Sequence, residues 1–375
     1  MFGEYYSKQD IRDITPDKVS QREFGVGDFE RKIKFRHMEF KGSIDLKSYL
    51  TTKTPAFISC STAYYSNPSF RPMENKGWLG SELVFDIDAN DMHLPCQKEH
   101  GSSWVCDNCL RSVKDETIKL IEEFLIPDFG FSSKEIGVNF SGNRGYHVRV
   151  DKESVLSLDS NARKEISDYI TGTGIGFEDF FSIDEIGSGK RIKRLTGPRP
   201  TEPGWRGRIA RSVIKDLNTG IEHLVSTGID KKVAKNLYNK RALIEMGINN
   251  GNWDMVYVKD KAEFWSKVIK GHAVAQSDRI DKNVTNDTGH LLRLPNTIHG
   301  DTGLVSKRVT GGVAAFEPMD SSVVLPKDPI KVKASTKAAL TMKGETFGPY
   351  PDETVELPGY AAMYLYLKGF ATLLS

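Results

Sequence analysis

"LVFDIDANDMHLPCQKEHGSSWVC", running from Leu83 to Cys106, sets two acids on an apolar stretch and follows them at once with cysteines and a histidine. Side chains alternate across a strand, so Asp86 and Asp88, two positions apart, project from one face. Leu83, Val84 and Phe85 make the strand a buried one. Acids at its end therefore carry a desolvation cost that a bound Mg²⁺ or Mn²⁺ relieves. Asp is also common where a strand gives way to a turn, the plainer use for Asp88 and Asp91. A third carboxylate favours the metal reading, because two-metal phosphoryl transfer needs carboxylates to hold ions about 3.5–4 Å apart. Asp278 and Asp281, in "SDRIDKNV", are the candidates.

The second half of the stretch extends to "CQKEHGSSWVCDNC", which supplies Cys96, His100, Cys106 and Cys109 from one loop closing in C-x-x-C. Three thiolates and an imidazole make a closed tetrahedral Zn²⁺ site with no position left for substrate, hence a structural one. Free buried thiols are the alternative, and this ligand set at this spacing seldom arises by chance. The acids would hold hard cations, while the soft zinc knot folds a loop too polar to fold itself. The remaining cysteine, Cys60 in "FISCSTAYY", reads as a core residue.

Around this centre the chain alternates in character. Short apolar runs between polar turns, "KIKFRHMEF", "AFISCSTAYY" and "SELVFDID", predict strands. "DETIKLIEEFLIPDFGF" has helical spacing and stops at Pro127. "EIGVNFSGNRGYHVRVD" predicts strand, turn, strand, with Gly142 and Gly145 at the turn. The spacing predicts a first part of the core over 1–160 with a zinc loop at 92–110. A mainly helical insertion with a basic loop follows over 161–270, then a second part of the core with a C-terminal segment over 271–375. The basic stretch "GSGKRIKRLTGPRPTEPGWRGRIARSVIK", Gly187 to Lys215, predicts a solvated loop more readily than a nucleic-acid contact.

Composition narrows the function classes. A chain of 375 residues with 38% hydrophobic content can bury a sizeable core, and a net charge of +2 confines any polyanion site to a local patch. No run of roughly 18 apolar residues spans a membrane and no signal peptide is evident, so the expected address is cytosolic, or nuclear in a eukaryote. Clustered cysteines in such a compartment point to metal rather than disulfides.

Two further motifs carry donors suited to phosphate. In "SGNRGYHVRV", Ser141 offers a hydroxyl, the glycines expose backbone N–H groups, and Arg144 and His147 add donors; an ordinary hairpin turn is the alternative. In "HLLRLPNTIHGDTGL", Arg293 and His299 stand among turn residues, although a histidine beside an apolar run is more often structural. "GTGIGF", Gly172 to Phe177, lacks both the dinucleotide fingerprint and the P-loop lysine.

In this order the motifs resemble those of the archaeal and eukaryotic DNA primase catalytic small subunits. The landmarks are "REFG" at Arg22 to Gly25, "RHMEF" at Arg36 to Phe40, "LVFDID", the zinc loop, "SGNRGYH" and "IDKNVTNDTGHLLRLPNTIHGDTGL". The likeness extends from about Tyr5 to "VELPGYAAMYLYLKG". It implies an α/β (α+β) fold, a mixed-sheet primase catalytic core with a zinc-binding loop and a helical insertion. It also implies that Asp86, Asp88 and Asp281 bind the catalytic metals, with Asp281 preferred over Asp278. Ser141, Arg144 and His147, with Arg293 and His299, would bind the triphosphate of the incoming nucleotide, while Arg22 and Arg36 lie in motifs near the active centre. Eukaryotic relatives carry Arg where Asn143 stands and an aromatic residue where Arg149 stands, and Asp301 occupies a place usually held by Lys. No phosphate contact is carried over to Asn143 or Asp301.

The activity implied is template-directed synthesis of RNA primers on single-stranded DNA from nucleoside triphosphates, alongside a large, iron–sulfur-containing partner subunit. The rival readings are a stand-alone primase-polymerase using deoxynucleotides, a metal-dependent nuclease, and a non-catalytic zinc module that binds nucleic acid.

Overall fold

The structure, a computed structural model, describes residues 1–186, 192–256, 258–277 and 279–374. The chain forms two compact units: Met1–Lys119 with Ser132–Glu165 and Ile280–Ser375, and Leu120–Phe131 with Ile166–Arg279.

In the first unit the acidic stretch is a strand, Leu83–Asp88, in which Leu83, Phe85 and Ile87 are buried while Asp86 and Asp88 are half-buried on the opposite face. It pairs antiparallel with Gly145–Val150, which in turn pairs antiparallel with Ile136–Phe140. The predicted strand, turn, strand is thus a hairpin set against the acidic strand. A second sheet runs in the order Leu291–Arg293, Phe57–Ser61, Phe24–Gly27, Phe35–Met38. Cys60 is buried here with Phe24, Ile58 and Leu294. A third sheet places Pro329–Ser335 between Pro351–Pro358 and Ala371–Leu373, with the helix Gly359–Leu367 packed on it. All strand pairings among the described residues are antiparallel. The class is therefore α+β, and the core expected as a mixed sheet is built from several small antiparallel sheets.

Behind the acidic strand lies a buried ion cluster. Arg22 and Glu82 are nearly inaccessible and joined to each other, Arg149 Nε reaches Glu82 Oε2 at 2.6 Å, and the Tyr64 hydroxyl donates to Glu82 Oε1 at 2.9 Å. Arg22 also donates to the Ser61 carbonyl at 2.6 Å, so one guanidinium ties strand ends from different sheets. The two arginines hold the Glu82 carboxyl down at about 2 against the opposing cost of burial. Charge is affordable in such a place only when its partners are complete.

The second unit is mainly helical around Trp253 and Trp265, whose rings meet edge to face at 4.9 Å. Much of the basic stretch predicted as a loop is ordered structure: strand Ile192–Thr196, paired with Ser182–Ile186, and helix Gly204–Thr219. Its arginines find local partners, Arg208 on Asp128 at 2.8 Å and Arg206 on Glu202 at 2.5 Å. Partnering of this kind lets a run of charges sit on a folded helix instead of in solvent. Residues 187–191 of that stretch lie outside the described residues, as does Asp278. The second part of the core, expected from 271, begins later in the chain, at Ile280. The helix Lys261–Ser277 continues past residue 271, and "KNVTN" forms a short helix because the Asp281 side chain accepts from the Asn283 N–H at 2.8 Å and caps it.

Candidate active site and metal centre

The acidic strand and its hairpin bring the first group of residues together by register alone. Asp86 stands opposite His147 and Asp88 opposite Gly145, so directly paired side chains share a face. His147 Nε2 lies 3.7 Å from Asp86 Oδ1, and Arg144 Nε donates to Asp88 Oδ1 at 2.6 Å. A side chain at Gly145 has no room, since a Cβ there would stand 2.3 Å from the Ile87 carbonyl oxygen. Asp281 arrives from a distant part of the sequence: its backbone N–H donates to the Asp86 carbonyl at 3.0 Å. Val284 of the helix it caps packs with Val84 and Leu292.

The electrostatics follow from this crowding. Burial, then Asp88, Asp281 and Asp91, push the Asp86 carboxyl up to about 8, against the pull of Arg144. Asp91 is raised by burial and by Asp88 and Asp281. It closes the turn after the strand, its N–H on the Asp88 carbonyl at 3.2 Å, and also adds a fourth acid to the cluster. A carboxylate whose acidic neighbours oppose its ionisation suits Mg²⁺ or Mn²⁺, which would hold Asp86 ionised.

The hairpin turn carries the next group. The Ser141 hydroxyl oxygen accepts from the N–H groups of Asn143 at 3.3 Å and Gly145 at 3.2 Å, leaving its own hydrogen to donate elsewhere. Gly142, at φ +84°, allows the turn to approach His299, where a Cβ would come within 2.9 Å. Thr302 Oγ1 locks that approach by donating to the Gly142 carbonyl at 2.6 Å.

His299 and Arg293 complete the cluster around Phe57. The guanidinium carbon of Arg293 lies 4.8 Å from the Phe57 ring centroid, and the His299 ring meets Phe57 edge-on at 5.4 Å. Arg293 Nε and Nη1 are buried with no hydrogen-bond partner, and burial lowers its pKa to about 10. The Asp301 N–H donates to His299 Nδ1 at 3.2 Å, which leaves Nε2 as the protonated nitrogen of the neutral ring. Burial, followed by Arg293, Lys32, Lys368 and Arg144, pushes His299 well below its ordinary value, and burial with nearby arginines holds His147 at about 3.

Two of those cations, Lys32 and Lys368, were not legible in the sequence. Lys32 pairs with Asp301 at 3.2 Å, and Lys368 Nζ donates to Asn143 Oδ1 at 2.8 Å. Lys32 stands in none of the motifs, and Lys368 lies in the C-terminal stretch "VELPGYAAMYLYLKG", whose pattern carries no sign of a phosphate donor. Of the two N-terminal arginines, Arg22 is enclosed in the ion cluster described above. Arg36 is half-exposed, and its Nε pairs with the buried Glu23 at 2.8 Å.

The zinc-type ligands are drawn together as a unit. Ligand atoms of Cys96, His100, Cys106 and Cys109 all lie within 4.8 Å of one another. The Cys96 and Cys109 sulfurs are 3.6 Å apart, those of Cys106 and Cys109 3.7 Å, and His100 Nε2 is 3.7 Å from Cys109 Sγ. Tetrahedral Zn–S bonds of about 2.3 Å separate sulfurs by about 3.8 Å, so the cage is the right size. His100 Nδ1 lies 2.7 Å from the Gly101 carbonyl, which fixes the N–H there and leaves Nε2 as the ligand. Among the described residues no helix is long and apolar enough to cross a membrane.

The α+β core thus gathers aspartates, a cationic turn and a thiolate–imidazole cage, a donor set of the kind used in metal-assisted phosphoryl chemistry. A sequence model of the DNA primase small subunit family matches residues 85–310. The chain is 35% identical to the DNA primase small subunit PriS of Methanothrix thermoacetophila and 33% identical to that of Methanococcoides burtonii, in each case over 99% of this chain and 96% of the relative. It is 32% identical to the PriS of Archaeoglobus fulgidus over the same shares. The chain belongs to the DNA primase small subunit family, and with it to the catalytic subunits of DNA primases.

Proposed function

We propose that this chain synthesises short RNA primers on a single-stranded DNA template from nucleoside triphosphates, working with a primase large subunit inside an archaeal-type cell. The observation that carries this reading is the meeting of Asp86 and Asp88, with Asp281 hydrogen-bonded to their strand, and a hairpin turn that carries Ser141 and Arg144. Asp86, Asp88 and Asp281 would hold Mg²⁺ or Mn²⁺. Such ions supply the Lewis acidity that readies a 3′-hydroxyl for attack and stabilises departing pyrophosphate.

The chain's own residues orient the substrate. Arg144 is a bidentate donor to phosphate, Ser141 donates its hydroxyl, and His147 and His299 donate as neutral imidazoles. Arg293, with two buried nitrogens unpartnered, gains hydrogen bonds when a phosphate arrives. Positioning and charge neutralisation of this kind dominate phosphoryl transfer. The thiolate–imidazole cage would hold Zn²⁺ in a structural role.

The test is primer synthesis on single-stranded DNA with labelled nucleoside triphosphates and Mg²⁺ or Mn²⁺, with and without the large subunit. Wild type is compared with Asp86→Ala and Asp281→Ala. Short template-dependent products that both variants lose support the reading. DNA cleavage without triphosphate would replace it with a nuclease, and binding unaffected by either substitution with a non-catalytic module. Products made by the isolated chain from deoxynucleotides alone would favour a stand-alone primase-polymerase.

A further inference from the structure

We infer that Lys368, at the C-terminal end of the helix Gly359–Leu367, is an additional phosphate-binding residue of the nucleotide site, held ready beside the hairpin turn by Asn143 and the zinc loop. The inference rests on the nucleotide-binding reading above and adds to it a side chain from the far end of the chain.

The geometry is specific. Lys368 Nζ donates to Asn143 Oδ1 at 2.8 Å and to the Ser103 carbonyl at 3.2 Å. Asn143 lies in the turn between Ser141 and Arg144, and Ser103 lies between His100 and Cys106 of the zinc loop. The loop is pinned from the same side by Arg144 Nη1 on the Ser102 carbonyl at 3.4 Å and by the Trp104 ring meeting Phe370 at 5.0 Å. The lysine is therefore aimed, through neutral acceptors, at the place where Arg144 already stands.

Its charge environment favours an anion. Among the described residues Lys368 forms no carboxylate ion pair; Asp301 and Asp88 act on it only from a distance, and Arg144 and Lys32 oppose it. Burial first, then Arg144, lowers the amine to about 8. Lys368, Lys32, Arg144 and Arg293 all act electrostatically on the same buried His299; Arg144 and Lys32 have carboxylate partners in Asp88 and Asp301, and Lys368 has only the two neutral acceptors. Bringing like charges together and satisfying one of them with an amide oxygen and a carbonyl costs free energy. A polyanion in their midst returns it. A lysine bound by two neutral acceptors can turn its remaining N–H to such a ligand without leaving its anchor.

The experiment measures binding of inorganic tripolyphosphate to the full chain by calorimetry, and nucleotide KM and kcat in primer synthesis, for wild type, Lys368→Ala, Lys368→Arg, Asn143→Ala and Arg144→Ala. Circular dichroism establishes that each variant is folded. Lys368→Ala is expected to weaken tripolyphosphate binding about tenfold or more, as loss of a charge-assisted hydrogen bond does. It should raise KM more than it lowers kcat, and Lys368→Arg should recover most of the loss. Asn143→Ala, which keeps the charge and removes the anchor, should lose less. If Lys368→Ala binds tripolyphosphate as wild type does while Arg144→Ala does not, the lysine is structural and the inference falls, with the nucleotide-site reading intact. Equal losses in Lys368→Ala and Asn143→Ala would likewise reduce Lys368 to an anchor of the turn. A wild-type chain that binds no tripolyphosphate would overturn the inference together with the reading it rests on.

Discussion

The Asp281 N–H donates to the Asp86 carbonyl at 3.0 Å, so a backbone bond joins the acidic strand to a segment that follows the helical unit in the chain. The bond brings a third acid near Asp86, whose ionisation burial and Asp88 already oppose. Replacing Asp281 by Asn keeps the helix cap, since Asn caps as well as Asp, and removes the charge. The expected outcome is unchanged thermal stability with divalent-ion affinity and primer synthesis both strongly reduced. Titration of Mn²⁺ followed by magnetic resonance, with a melting curve, checks both halves.

Arg293 presents a trade between stability and binding. Its Nε and Nη1 are buried and unpartnered, a cost the folded chain bears without ligand. Arg293→Met keeps most of the packing against Phe57 and removes that cost. The melting temperature should hold or rise while nucleotide affinity falls about tenfold or more. A fall in stability would show that the guanidinium is structurally needed.

Glu82 is the acid on which the buried arginines depend. Glu82→Gln leaves Arg22 and Arg149 with uncompensated charge in a nearly inaccessible place, at a cost of about 3–5 kcal/mol. Denaturant unfolding would measure it. Because the folded pKa is depressed, this stabilisation is present above about 4.5 and is lost as pH falls toward 2.

His147 gives a second dependence on pH. Its folded pKa, about 3, lies below the ordinary 6.5, so the unfolded chain takes up the proton first as pH falls. Stability is then lost progressively from pH 6.5 downward, by up to about 1.4 kcal/mol per pH unit. Unfolding curves of His147→Gln should be flatter than wild type between pH 6.5 and 4; identical slopes would refute a buried neutral histidine.

The thiolate–imidazole cage makes a prediction about metal removal. Between Cys96 and Cys109 the zinc loop's buried apolar matter is Trp104 and Val105. Chelation, or Cys109→Ser, should release about one Zn²⁺ per chain and lower the melting temperature. Elemental analysis alongside calorimetry would show it, and a melting curve indifferent to chelator would remove zinc from the account.

What could be read from residues alone was local. Alternation in "LVFDID" placed Asp86 and Asp88 on one face, and the C-x-x-C with its preceding His and Cys forecast the cage, because strand geometry and metal ligation act over a few residues. The hairpin around "SGNRG" was legible for the same reason, its glycines marking where the backbone must turn tightly. The rest depended on contacts that no window of sequence contains. Only the packed structure puts the Asp281 amide on Asp86, encloses Arg22 with Glu82 and Arg149, and draws Lys32 and Lys368 toward His299. Much of the predicted basic loop became strand and helix because acids elsewhere in its unit, Asp128 among them, met its arginines. Local pattern decided which groups could do chemistry. Burial and long-range charge, which depend on distances across the fold, decided their ionisation and their company.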